Sequence, residues 1–167
     1  MLKIKVKILI IFCLLFFNST VQAKSPSELI VEIVDKASSI LSGNATDDEK
    51  IIQLNEIAEN SVDIKGIGFY TLGKFRKNIS SEEQDRYADL FRKYFLKSFS
   101  SRLVTYTDPK INVISEKVVN EKYTIVNSVL VATEKRPEVK IDWRVYTKNP
   151  DKPLISCLLY TSPSPRD

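Results

Sequence analysis

The sequence predicts an α+β domain in which N-terminal helices pack on one face of a curved antiparallel sheet, with the chain truncated at its C-terminal end. Two observations predict this class. Apolar residues recur at helical spacing as far as about Tyr106, and three helix-capping sequences lie within this part of the chain. After Asp108-Pro109 the apolar period changes to two, which is typical of strands. Helices followed by a run of strands predict an α+β arrangement.

The first predicted helix begins at a capping box, Ser25 to Glu28, with Pro26 at the first helical position. Gly43 ends the helical pattern. The residues that give the pattern are Leu29, Ile30, Ile33, Val34, Ala37, Ile40 and Leu41. They predict one apolar face directed at a core.

Two shorter helical segments follow. Thr46 to Glu49 is a second capping box, and the helix behind it carries Ile51, Leu54, Ile57 and Ala58 on one side. A third helical segment is predicted over residues 63–76, where three glycines lower the helix propensity.

The longest predicted helix begins at a third capping box, Ser80 to Glu83, and runs to about Tyr106. Its apolar side chains cover roughly half of the helix circumference. They are Tyr87, Leu90, Phe91, Tyr94, Phe95 and Phe99. Because packing on one core needs a stripe of only about 100°, we expect this helix to meet apolar surface in more than one direction.

Strands are predicted at 110–118, 122–133 and 139–147, with a fourth beginning at Leu154-Ile155. The third strand is the clearest, because Val139, Ile141, Trp143 and Val145 alternate with polar or charged neighbours. This alternation predicts an antiparallel strand with one buried face.

Both ends of the chain differ from the middle. Residues 1–23 combine three lysines, an apolar run and a small-x-small pattern that ends at Ala23, which predicts a cleaved secretory signal peptide; an uncleaved anchor is the alternative. Residues 157–167 continue no strand pattern, and one set of codons for them matches an adapter used to tag DNA for sequencing. We therefore expect a domain over 24–156, incomplete at its C-terminus, and a non-native tail over 157–167; an ordinary Pro/Ser-rich tail is the alternative.

The predicted domain is close to electrically neutral. Three of the 25 basic residues lie in the predicted signal peptide, and the tail holds one basic and one acidic residue. Nucleic-acid binding needs a concentrated positive face, so no nucleic-acid partner is expected. Cys13 and Cys157 also fall in the two ends, which leaves the exported domain without a disulfide.

The sequence also lacks the side chains of most enzyme sites. It has no histidine, which is the usual acid–base group near neutral pH and the commonest metal ligand. No nucleotide-binding glycine run or GxSxG motif is present. The remaining candidates are carboxylates such as Asp63, Asp89 and Asp142, and a solvated surface charge is the favoured interpretation of Asp142. We expect no catalytic residue, no metal and no cofactor.

An ordered set of residues then points to a family. Residues 62–103 contain an early acid, a Leu-Gly pair followed by an aromatic, and a capped helix with spaced rings. These are Asp63, Leu72, Gly73, Phe75, Ser80, Glu83, Tyr87, Phe91, Tyr94 and Phe99. This pattern resembles the MlaC family of periplasmic phospholipid-binding proteins, also called the toluene-tolerance family, over roughly 26–156. Phe75 stands where the family usually has tryptophan, and the family continues past residue 156 with another strand and helices.

The resemblance implies a soluble, non-enzymatic phospholipid carrier in the periplasm. Its partners would be an inner-membrane ABC transporter complex with a lipid-binding ring and an outer-membrane lipoprotein complex, and its role would be to maintain outer-membrane lipid asymmetry. The acyl chains would lie in an apolar cavity between sheet and helices. The predicted cavity wall, chosen by face and by position in the family pattern, is Leu72, Phe91, Tyr94, Phe95, Phe99, Val126, Leu130, Ile141, Trp143 and Val145.

Two other classes of function remain open from the residues. One is an enzyme for a small apolar substrate on a similar cone-shaped scaffold, which would need an ionisable group buried at the cavity floor. The other is a periplasmic interaction module whose aromatic arc binds a partner without any cavity.

Overall fold

The computed structural model describes residues 24–106, 109–134 and 137–161. The predicted signal peptide lies outside these residues, as does the end of the predicted tail. In the described part four α-helices precede four strands: α1 Pro26–Ser42, α2 Asp47–Ser61, α3 Ile64–Thr71 and α4 Ser81–Leu103, then β1 Ile111–Asn120, β2 Tyr123–Leu130, β3 Val139–Tyr146 and β4 Leu154–Thr161. The strands form one antiparallel sheet in the order β1-β2-β3-β4. The predicted α+β fold is confirmed.

All three predicted capping boxes form. The side chains of Ser25, Thr46 and Ser80 each accept a hydrogen bond from the backbone N–H of the glutamate three residues later, and each glutamate side chain accepts one in return from the backbone N–H of its cap residue. Two of the first unpaired N–H groups of each helix are satisfied in this way. Local sequence therefore sets the starts of α1, α2 and α4.

The predicted helix over 63–76 is two elements. Asp63 caps α3 by accepting a hydrogen bond from the backbone N–H of Gly66 at 2.9 Å. A separate 3₁₀ helix, Gly73–Lys77, follows, and its first residue, Gly73, has a φ of 53°. Because this left-handed conformation costs glycine little and other residues more, Gly73 is the point where α3 cannot continue.

Strand β4 extends beyond the two residues predicted from the sequence and runs through Cys157 to Thr161. Its register with β3 shifts between Ile155, which pairs with Val145, and Cys157, which pairs with Arg144. Ser156 is the extra residue of this bulge. The bulge places Leu158 opposite Trp143, and Leu158 packs against the core. The origin of residues 157–167 stays a prediction.

Two apolar clusters hold the helices and the sheet. The first lies between α1 and the sheet and contains Ile30, Val34, Val126, Ile141, Trp143, Val145 and Ile155. The second lies between α2, α3 and α4 and contains Ala58, Ile64 and Leu96, with three half-buried phenylalanines packed on it. Val62 packs against both clusters. Beside it, the backbone N–H of Asp63 donates to the carbonyl of Ile155 at 2.9 Å, which joins the helical layer to strand β4.

Candidate functional site: an aromatic ladder on α4

Four aromatic rings stack along one side of α4. The ring centroids lie 6.0 Å apart between Tyr87 and Phe91, 6.2 Å between Phe91 and Phe95, and 5.6 Å between Phe95 and Phe99. Residues four apart in a helix lie on the same face, so the sequence spacing itself produces this stack. We call these four residues the aromatic ladder. All four are half-buried.

Helix α3 packs closely against the N-terminal half of the ladder, Tyr87 and Phe91. A Cβ atom on Gly68 would lie 2.8 Å from Cδ1 of Phe91, so only glycine allows this separation of the two helices. One turn further on, the hydroxyls of Thr71 and Tyr87 are 2.7 Å apart and share a hydrogen bond. The helical part of the predicted wall is therefore fixed to α3 as well as to its own helix.

The other side of the α4 apolar arc is exposed. Leu90 is 55% exposed and Tyr94 is 69% exposed. On the opposite edge, Leu96 and Ser100 are buried against the helical layer, and Arg92 forms an ion pair with Glu59 of α2 at 2.9 Å. Helices α2 and α3 thus cover one part of the wide arc, and apolar surface next to the ladder stays open.

The sheet residues of the predicted wall lie in the other cluster. Val126 and Val145 are completely buried, and Ile141 and Trp143 are nearly so. The indole N–H of Trp143 donates a 2.7 Å hydrogen bond to the hydroxyl of buried Ser128, which gives the ring its polar partner. Leu130 is half-buried and packs against the same cluster.

The ten predicted wall residues thus form two groups. Phe91, Phe95 and Phe99 pack against α2 and α3, Leu72 is half-buried at the end of α3, and Tyr94 is largely exposed. The five sheet residues pack under α1. The assignment of both groups to one lipid cavity stays a prediction.

A cavity that the sequence did not predict lies between α1 and α2. Its volume is about 490 Å³, and none of the ten predicted wall residues lines it. Its apolar lining consists of Leu29, Ile33, Ile40 and Ile57. The feature of the sequence that could have predicted this cavity is the width of the α1 apolar face. Ile30, Val34 and Leu41 alone fill the buried stripe of the helix, so Leu29, Ile33 and Ile40 are left beside the cavity.

A charged group borders this cavity. Glu32 accepts hydrogen bonds from the ammonium groups of Lys24 and Lys36, the second at 2.7 Å. These two hydrogen bonds, that from Lys24 first, lower the pKa of Glu32 to about 2. The carboxylate is therefore ionised at all ordinary pH values and holds Lys24, which precedes α1, against that helix.

The three carboxylates considered from the sequence have structural partners. Asp63 caps α3, Asp89 pairs with Lys93 at 2.7 Å, and Asp142 accepts a 2.7 Å hydrogen bond from the side-chain amide of Asn127. The hydrogen bond from Lys93 lowers the pKa of Asp89. Across the described residues, no three His, Cys, Asp or Glu side chains come together as a metal site would need. In the same part of the chain, no helix has the length and apolar character needed to cross a membrane.

Comparison with known proteins identifies a similar solved structure and a matching protein family. A solved structure of a phospholipid-binding protein from Ralstonia solanacearum, in complex with a phospholipid, has the same fold with a TM-score of 0.64. The two chains are 17% identical, and the alignment covers 79% of this chain and 78% of the other. No curated protein matches the sequence. The family model of the MlaC protein matches residues 17–156. The chain therefore belongs to the MlaC family.

Proposed function

We propose that this protein carries a phospholipid through the periplasm with the acyl chains shielded in an apolar cavity. The observation that carries the proposal is the aromatic ladder with its open apolar edge, in a chain of the MlaC family. The phospholipid bound to the Ralstonia solanacearum protein of the same fold supports the choice of cargo.

The physical requirement on such a carrier is large. Two acyl chains of about 16 carbons, at about 0.8 kcal/mol per CH₂, cost on the order of 25 kcal/mol to expose to water. A flat surface patch cannot screen that much hydrocarbon, whereas a cavity can. We propose that the ladder and the open edge at Tyr94 form the helical side of this cavity. The core face of β2 and β3, from Val126 and Leu130 to Trp143, would form its sheet side. This face packs under α1 in the structure, so lipid binding would require α1 to move away from the sheet.

The cargo can be tested on the exported protein. Lipid extraction and mass spectrometry should find phospholipid at close to one molecule per chain. Tyr94→Glu should lower this content severalfold while the protein stays folded, because Tyr94 is already largely exposed. Ile52→Glu is the matched control, since Ile52 is 67% exposed on α2 and belongs to neither apolar cluster. Equal lipid content in both variants would count against the ladder as the binding surface.

The place of the carrier in the cell is part of the same proposal. We expect it to exchange lipid with an inner-membrane ABC transporter complex that has a lipid-binding ring and with an outer-membrane lipoprotein complex. That exchange would maintain the lipid asymmetry of the outer membrane. Site-specific photocrosslinking in living cells should recover both partners from the exported protein; recovery of neither would contradict this part of the proposal.

A further inference from the structure

The segment between α3 and α4 combines basic and aromatic side chains. Every residue from Gly73 to Asn78 is exposed, and Tyr70, one turn before, is 87% exposed. The sequence from Ile64 to Ser81 contains four basic residues and no acidic residue. We call Tyr70 together with Lys74, Phe75, Arg76 and Lys77 the basic-aromatic knob.

The knob has a fixed backbone. The N–H of Phe75 donates to the carbonyl of Leu72 at 3.1 Å, and the N–H of Asn78 donates to the carbonyl of Phe75 at 2.9 Å. The side-chain amide of Gln84 on α4 donates to the carbonyl of Arg76 at 3.2 Å. The exposed groups are therefore held by a short helix that is tied to α4.

Its charges are available to a partner. The ion pairs found among the described residues include none of Lys74, Arg76 and Lys77. Arg76 lies 4.7 Å from the ring centroid of Phe69, and Lys74 lies 5.9 Å from that of Phe75. Lys74 and Lys77 are three residues apart in a 3₁₀ helix, so they share one side of it.

Phe75 adds exposed apolar surface to the knob. It is 63% exposed, although leaving a phenylalanine side chain in water costs more free energy than leaving most other side chains there. An exposed aromatic ring beside several cations matches the headgroup region of an anionic bilayer, where rings enter the apolar boundary and cations contact phosphates. The nearest acidic residues along the chain are Asp63 on one side and Glu82 and Glu83 on the other. Asp63 caps α3, Glu82 lies in the first turn of α4, where the helix N-terminus favours negative charge, and Glu83 is held in its own capping box.

We propose that the basic-aromatic knob docks this protein on the surface of an anionic phospholipid bilayer. Docking would bring the neighbouring α3–α4 face, including the ladder, towards the membrane from which lipid is exchanged. The inference does not depend on the cargo, because the knob shares no residue with the predicted cavity wall, although Leu72 of that wall lies between Tyr70 and Lys74 in the chain.

The test uses the exported protein and vesicles of two compositions. One is phosphatidylcholine alone, and in the other a third of it is replaced by phosphatidylglycerol. We expect flotation with the anionic vesicles only, and loss of binding at high salt. Neutralisation of the three cations in K74Q/R76Q/K77Q should weaken binding on the order of 100-fold, since each basic residue near an anionic surface contributes roughly fivefold. The control is K117Q/K122Q/K140Q, which removes equal charge from exposed positions on the sheet.

A second measurement tests whether the side chain at position 75 enters the bilayer. Trp143 is the only tryptophan of the chain and is buried, so Phe75→Trp adds a signal that can be read as a difference. Its emission should shift to the blue when anionic vesicles are added. The proposal would be overturned by equal binding of the two triple variants, by equal binding to both vesicle types, or by no vesicle binding at all. The lipid content of K74Q/R76Q/K77Q should equal that of the unchanged protein, which separates failure of docking from failure of lipid carriage.

Discussion

The contact between Gly68 and Phe91 gives the sharpest prediction about the ladder. Gly68 is buried where α3 crosses α4, and an added Cβ would lie 2.8 Å from Cδ1 and 3.0 Å from Cγ of Phe91. Cγ is at the root of the ring, so a small rotation of the side chain cannot relieve the contact. The two helices must move apart, and the ladder would shift with α4.

Two opposing free energies decide the outcome of Gly68→Ala. Alanine gains about 1 kcal/mol over glycine in a helix interior. Overpacking a well-filled contact typically costs about 1–3 kcal/mol. We therefore expect a net loss of about 1 kcal/mol in the free energy of unfolding. In a Phe91→Ala background the obstructing ring is gone, and the same change should stabilise the protein by about 1 kcal/mol.

Urea denaturation of the four proteins of this double-mutant cycle measures both values. The coupling free energy between the two positions should be about 2 kcal/mol, within the range found for residues in direct contact. Thermal unfolding should show opposite signs of the Tm change in the two backgrounds. If Gly68→Ala changed stability equally in both, the close approach of α3 and α4 would not be set by Phe91, and the reasoning would be refuted.

Three further predictions concern the core, the start of α1 and acid stability. Ser128→Ala should lower the free energy of unfolding by about 1–3 kcal/mol, because it leaves the buried Trp143 N–H without an acceptor. Calorimetry that shows unchanged stability would contradict this. Glu116→Gln should lower the free energy of unfolding by about 0.5–1 kcal/mol, since this carboxylate on β1 accepts hydrogen bonds from the backbone N–H and hydroxyl of Ser27 at the start of α1. Chemical denaturation measures this loss of stability. A loss that does not shrink in high salt would argue against a charge effect. Glu32→Gln should cost up to about 1 kcal/mol at pH 7, because the pair is partly exposed and screened. The folded pKa of Glu32 is about 2 and its ordinary value is 4.5, so this contribution is complete above pH 4.5 and is lost as the pH falls towards 2; a difference between the two proteins that persists at pH 2 would refute it.

Local signals in the sequence predicted the helix starts and the strand faces well. Ser25, Thr46 and Ser80 carry their capping partners within three residues, so no tertiary information is needed to place them. The alternation from Val139 to Val145 likewise predicted which side of β3 is buried. Ladder residues four apart stack because of helix geometry alone.

Long-range packing could not be predicted in the same way. The periodicity shows that α1 and α4 have wide apolar faces, but it does not show which neighbour covers each part. The five sheet residues pack under α1 and not against the ladder, and the cavity beside Ile33 and Ile57 arises from the crossing of two helices. The bulge at Ser156 depends on pairing with β3, so the local sequence pattern could not predict the length of β4 either.

In the proposed complex, acyl chains lie against the apolar face of the sheet that contains Trp143. Since Trp143 is the only tryptophan, its fluorescence reports on that face alone. The purified protein would be loaded with phospholipids that carry bromine on the acyl chains, and bromine quenches tryptophan only at short range. We expect strong quenching of Trp143 fluorescence by bound brominated lipid and none by the unbrominated lipid. Stoichiometric binding of the brominated lipid without quenching would contradict it.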